Sequence, residues 1–127
     1  MNTDEHKYPN KDETFAVIGS AMEVHNYLGH GLKEKVYENS ITVEFKQRGI
    51  PYQQQPRYPV TYKNQHVGEF IPDLIAFSNI IIDTKVISKI TDLERGQMLN
   101  YLKITKIKVG LIINFKQPKL EYVRVVL

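Results

Sequence analysis

Three ionisable residues stand where aliphatic side chains would pack better. The stretch from Phe70 to Val86, FIPDLIAFSNIIIDTKV, reads as two apolar strands joined by a turn at Ser78-Asn79, interrupted by Asp73, Asp83 and Lys85. Aliphatic strands of this kind are covered on both faces. Two carboxylates and an ammonium there are costly unless they meet partners or a metal. Side chains alternate across a strand, so Asp83 and Lys85 share a face and Thr84 points away. If Asp73 reaches the same face, two carboxylates converge with a lysine. That set can hold a hard divalent cation, with an ammonium beside it to engage a reacting oxygen. Register is the condition. A two-residue turn at Ser78-Asn79 would set Asp73 opposite Thr84, on the wrong face, so a site requires an odd-length loop or a β-bulge.

The flanking elements must position these groups. Residues 12–28 carry Phe15, Ile18, Met22 and Leu28 at helical spacing, with His25 on the same stripe as a satisfied core residue or a ligand. Gly29 and Gly31 end that helix. A second helix is expected over 33–47, stopped by Gly49, with Tyr37, Ile41 and Phe45 facing inward. Glu34 lies one turn before Tyr37 on that line. It is either a first-turn acid favoured by the helix dipole or a site residue. Residues 51–63, PYQQQPRYPVTYK, alternate as a half-exposed strand. Tyr52, Tyr58, Val60 and Tyr62 share one face, and the prolines favour an edge. Asn64-Gln65 reads as a hairpin turn into HVGEFIPDLIAF. After the central pair comes a helix over 91–104, capped by Thr91 or Asp92, with Leu93, Gln97, Tyr101 and Ile104 on one face and Met98 and Leu102 widening it. Two strands, KVGLIINF and LEYVRVVL, follow. The order implies an α/β sandwich with helices on a mixed sheet.

A chain of 127 residues is most simply one domain. The reading is a polar tail over 1–11 and a single domain over 12–127. There is no cysteine, which excludes disulfides and thiolate metal sites and fits a cytoplasmic setting. No apolar run reaches membrane-spanning length, and the start lacks a signal-peptide pattern. The net charge of +3 is uneven: residues 1–84 hold 8 Lys/Arg and 11 Asp/Glu, whereas 85–127 hold 9 and 3. A basic final third suits contact with a polyanion, although a solvated lysine-rich surface explains the charge equally well.

Pro72-Asp73, nine intervening residues and then Asp83-Thr84-Lys85 resembles the PD-(D/E)xK signature of restriction-endonuclease-like nucleases. Gly31-Leu32-Lys33-Glu34-Lys35-Val36-Tyr37 resembles the GxxExxY pattern that names a group of small proteins in that superfamily. Gln97-Met98-Leu99-Asn100-Tyr101 is similar to the QxxxY motif of its RecB-like branch. The likeness runs from about residue 15 to the end. It implies a restriction-endonuclease-like three-layer α/β sandwich, a mixed central sheet flanked by helices, that hydrolyses phosphodiester bonds of DNA or RNA with Mg²⁺ or Mn²⁺. It further implies metal ligation by Asp73, Asp83, the Thr84 main-chain carbonyl and Glu34. Lys85 would act on the attacking water, and Gln97 and Tyr101 would orient Lys85 or the substrate. Lys89, Arg95 and Lys103 are candidate contacts to nucleic acid. The family usually shows glutamate where this chain has Asp83, one methylene shorter. The alternative is an inactive nucleic-acid-binding or protein-interaction module that keeps the fold, and a homodimer or a partner protein is compatible with either reading.

Overall fold

The computed structural model describes residues 10–127, so the expected tail over 1–11 lies mostly outside the described residues. The chain begins with two helices, α1 (Lys11–Leu28) and α2 (Glu34–Arg48). Strands β1 (Tyr52–Gln54), β2 (Tyr58–Tyr62), β3 (Gln65–Phe70), β4 (Leu74–Ala76) and β5 (Ile80–Lys85) follow. Helix α3 (Asp92–Thr105) and strands β6 (Val109–Asn114) and β7 (Glu121–Val126) complete it. Five strands form one sheet in the order β1-β4-β5-β6-β7, and β2 and β3 pair as a separate ribbon. Only β5 and β6 are parallel, with α3 as their crossover.

The period of two in the strands decides the layers. Leu74, Ala76, Ile80, Ile82, Leu111 and Ile113 point to one side, where they pack on Val17, Ala21 and Val24 of α1 and Tyr37, Ile41 and Phe45 of α2. Ile75, Ile81, Ile112 and Val125 point to the other, against Met98 and Leu102 of α3. Tyr58 and Phe70 of the ribbon cover the rest of that second face. This is the three-layer α/β arrangement expected, with a β-ribbon sharing the third layer.

Several local expectations are corrected. On α1 the buried residues are Thr14, Val17, Ile18, Ser20, Ala21, Val24 and His25, while Phe15 and Met22 are exposed. Ala21 is fully buried among them, and a Cβ at Gly19 would lie 3.2 Å from the Arg48 guanidinium of α2, so small residues face the neighbours while Phe15 and Met22 turn outward. Residues 51–63 form two strands in different sheets. Gln55, at φ 53°, turns the chain off the main sheet before Pro56, so Tyr62 ends in solvent rather than in the core. The hairpin turn falls at Lys63-Asn64, both left-handed, because Tyr62 pairs with Gln65. The stretch 66–77 likewise breaks at Ile71-Pro72-Asp73, where Pro72 cannot donate to a ladder. On α3 Leu93 is exposed, and Met98 and Leu102 form the buried line. Thr91 caps α3 in a reciprocal box with Glu94, as one of the two expected caps.

α3 lies close against the sheet at Gly110. A Cβ there would collide with the Met98 side chain from Cγ to Cε. Gly110→Ala should therefore destabilise the domain by about 1–3 kcal/mol through overpacking. Combined with Met98→Ala, it should cost less than the sum of the two single changes. Chemical denaturation of the four proteins checks this, and strict additivity would contradict the close approach.

Candidate metal centre

The loop between β4 and β5 meets the register condition. Ala76 pairs with Ile80, so the loop is Phe77-Ser78-Asn79, three residues rather than two. Phe77 and Ser78 adopt left-handed backbone at φ 56° and 60°. Leu74 then pairs with Ile82, and continuing the register places Asp73 across from Asp83.

Asp73 sits in the link ahead of β4 and not within a strand. Lys85 turns its carbonyl towards β6, where it accepts from the Phe115 amide. Main-chain groups alternate in direction along a strand, so the Thr84 amide and carbonyl face the β4 side, where β4 has already ended. Asp73 takes the place of the missing strand: its Oδ2 accepts from both the amide and the hydroxyl of Thr84, each at 2.8 Å. Its own carbonyl accepts from the Gln55 amide at 3.0 Å. A buried amide is thereby satisfied and one acid is fixed against the residue before Lys85.

Glu34 comes from the first turn of α2, and the loop before it is held by Tyr37. The Tyr37 hydroxyl donates to the Gly29 carbonyl at 2.7 Å and accepts from the Leu32 amide at 3.2 Å. Its ring stacks on Phe115 with centroids 4.5 Å apart. Gly31 in that loop has φ 100°, which a residue with a Cβ rarely adopts. The spacing Gly31, Glu34, Tyr37 thus has a mechanical meaning: the glycine makes the bend, the tyrosine latches it, and the acid between them is aimed.

Carboxylate oxygens of Glu34, Asp73 and Asp83 lie within 4.8 Å of one another. Lys85 Nζ is 3.5 Å from Asp83 Oδ2, with both side chains largely shielded at 24% and 14% exposure. These residues line a cleft of about 190 Å³ together with Phe70, Pro72 and Tyr101. A larger groove of about 440 Å³ lies between the outer faces of α1 and α2, apart from this group. The donor set is three carboxylates with no histidine or thiol, which is the chemistry of a hard divalent cation. The residues present fit such an ion, and the shorter Asp83 still places an oxygen within the set.

The electrostatics point the same way. Burial pushes Asp83 up to about 7, Lys85 pulls it down, and Asp73 and Glu34 push it up again. Asp73 is raised chiefly by burial against the opposing Thr84 hydrogen bonds, and Glu34 by burial and by Asp73. For Lys85, burial favours the neutral amine, but Asp83 and Glu34 together outweigh it and hold the proton more firmly. Three acids with one lysine leave uncompensated negative charge, and a cation is the natural neutraliser.

Two site-building residues escaped the sequence reading. Glu38, one turn after Glu34, is 3% exposed and adds negative charge near Glu34 and Asp73. Its Oε2 accepts from Gln54 at 2.6 Å, Lys35 at 2.9 Å and Gln55 at 3.3 Å. An acid immediately after the inward-facing Tyr37 was the available signal. Phe70 stacks on Tyr101 at 4.1 Å and makes one wall of the cleft. Gln97 is half-buried one turn before Tyr101, and its side chain makes no hydrogen bond to a described residue. Lys89, Arg95 and Lys103 are exposed and do not line the cleft, and Arg95 faces Asp92 at 3.4 Å. His25 is a satisfied core residue: its Nε2 is 2.9 Å from the Gln117 carbonyl, and the ring packs against Phe115.

No helix among the described residues is long and apolar enough to cross a membrane. No curated protein and no solved structure matches the chain. A family model described as the PD-(D/E)XK nuclease superfamily matches residues 11–125, a span that takes in all three layers of this restriction-endonuclease-like fold and every residue of the acidic cluster, and the chain belongs to that superfamily.

Proposed function

We propose that the protein is a metal-dependent phosphodiesterase acting on DNA or RNA, with Mg²⁺ or Mn²⁺ held by Glu34, Asp73, Asp83 and the Thr84 carbonyl. The observation that carries this is the meeting of three carboxylates within 4.8 Å with the Lys85 ammonium beside them. When bound, the cation supplies Lewis-acid stabilisation of charge that builds on phosphate oxygens. Lys85, protonated and 3.5 Å from Asp83, offers a second positive charge and orients the attacking water. Tyr101, whose hydroxyl pKa is raised by burial and by Asp83, stays protonated as a donor to the substrate backbone. Gln97 contributes an amide from the preceding turn. We place the chain in the GxxExxY group on the coupled roles of Gly31, Glu34 and Tyr37, and a cytoplasmic setting, which the cysteine-free sequence suits, goes with this reading.

Cleavage of single-stranded or duplex DNA, or of RNA, should appear with Mn²⁺ or Mg²⁺ and stop with a chelator. Asp83→Asn should abolish it, and Lys85→Ala should lower it by about 10²–10³-fold, as loss of one charge-stabilising donor does elsewhere. Gel assays of the purified variants decide the matter. Activity surviving at the wild-type level in both variants would assign the cleavage to a contaminant, and Mn²⁺ binding without cleavage of any substrate would favour an inactive module.

Protonation makes a separate prediction. In metal-free protein the folded pKa of Asp83 is about 7 against 3.8 for the free group, so the folded state keeps a proton that the unfolded chain releases. Its stabilising effect is complete below 3.8 and is lost as pH rises to about 7. Asp73 and Glu34 shift in the same direction. Thermal melts in chelator should therefore fall over this window, and Asp83→Asn should flatten the fall. Mn²⁺, which needs the ionised carboxylates, should raise the melting temperature more at pH 8 than at pH 6. A melt in chelator that rises across the window in wild type and Asp83→Asn alike would contradict the assignment.

A further inference from the structure

We propose that the loops at the carboxyl ends of β5 and β6 form a preassembled basic platform that holds a polynucleotide backbone beside the acidic centre, with Lys33, Lys89, Lys116 and Lys119 as its phosphate contacts. The inference rests on the phosphodiesterase reading and adds the side on which the substrate leaves the site.

Topology places the loops together. β5 and β6 run parallel with Lys85 paired to Asn114, so the segments after each emerge at the end of the sheet that carries Asp83 and Lys85. The segment 29–33 between α1 and α2 joins them through two ties. His25 Nε2 is 2.9 Å from the Gln117 carbonyl, and Tyr37, stacked on Phe115, latches Gly29 and Leu32.

The platform is then bound across. Asn114 is fully buried and spends its whole amide on the task. Its oxygen accepts from the Ile87 and Lys116 amides at 3.1 and 3.2 Å. Its Nδ2 donates to the Ile87 carbonyl at 2.8 Å and to Glu121 Oε1 at 2.9 Å. Glu121 in turn accepts from the Ile90 amide at 3.1 Å, and the Gln117 side chain donates to the Ser88 carbonyl at 3.1 Å. Three loops without regular structure are thereby fixed before any ligand arrives, which lowers the entropic cost of binding.

Charge selects the occupant. Lys33, Lys89, Lys116 and Lys119 are exposed and have no carboxylate partner among the described residues. Lys35, Arg48, Arg57 and Arg95 each face an acid instead. Glu121 is the one acid in segments 29–33, 86–91 and 115–121, and its carboxylate is occupied by Ile90 and Asn114. Separate cations on a fixed surface, continuous with a centre suited to a phosphodiester, match a repeating phosphate chain. Lys103, Lys106 and Lys108 are equally exposed and unpaired among the described residues, but they cluster where α3 hands over to the amino end of β6. They lie a strand length, roughly 17 Å, from the site end and are the natural control.

The test compares full-length wild type, K33Q/K89Q/K116Q/K119Q and K103Q/K106Q/K108Q in chelator, to prevent cleavage. Fluorescence anisotropy reads binding to labelled single-stranded DNA, duplex DNA and RNA over a salt series. The platform variant should bind at least about tenfold more weakly, and its slope of log affinity against log salt should fall by about 3–4, near one per lysine. The far-end variant should stay within about twofold of wild type. Should the quadruple variant fail to melt cooperatively, the four single changes should each lower the slope by about one. Equal losses in both variants, a loss confined to the far-end variant, or an unchanged platform variant would overturn the platform. Wild type that binds none of the three probes would instead remove the underlying reading, so the two failures are distinct.

Discussion

The acidic centre depends on one side chain standing in for a strand. β4 begins at Leu74, too late to pair with Thr84, and the carboxylate of Asp73 takes both the amide and the hydroxyl left open there. Because that bond fixes Asp73 against β5, the carboxylate cannot swing out to water to escape Asp83 and Glu34. The repulsion among three acids is therefore held in place by a satisfied backbone group. Burial raises the pKa of all three, and like-charge neighbours add to it: Asp73 and Glu34 for Asp83, Asp73 for Glu34, and Glu38 for Asp73. Lys85 offsets part of it, and Glu38 adds to it from a position where three donors keep it buried.

Much of this was legible in the residues. Asp73, Asp83 and Lys85 stand out because nothing in an aliphatic strand pair calls for them. Alternation alone showed that a two-residue turn at Ser78-Asn79 could not build a site and that an odd-length loop or a β-bulge was needed; the loop Phe77-Ser78-Asn79 is the first of these. Tyr37, Ile41 and Phe45 were visible as the inward line of α2, since large apolar residues at that spacing leave little choice. Where the pattern was carried by small residues it misled. On α1 the eye follows Phe15 and Met22, but Ala21 and Val24 are what fit against the neighbouring helix and sheet.

Breaks between strands were the other blind spot. Periodicity of two runs through Tyr52–Tyr62 and again through His66–Phe77, yet each run serves two sheets. The switch at Gln55 is a backbone event, and its side chain only later shows a purpose in binding Glu38. Pro56 and Pro72 marked both places, but a proline shows only that a ladder is interrupted and not where the chain goes next. Glu38 was hidden for a related reason: its donors, Gln54 and Gln55, come from a strand end that could not be placed beside α2 in advance.

The parallel pairing of β5 with β6 has a consequence in time. Asp73 and Asp83 meet within the short β4–β5 hairpin, but Glu34 reaches them only by contacts distant in sequence, and the crossover through α3 must close before the sheet is complete. Such contacts form late and slowly. The third carboxylate is thus the one whose approach waits on the long-range contacts, so its share of the crowding burdens the finished molecule more than the hairpin that precedes it. A cation that relieves the crowding then acts chiefly as a brake on opening, and leaves the speed of closing to the aliphatic strands.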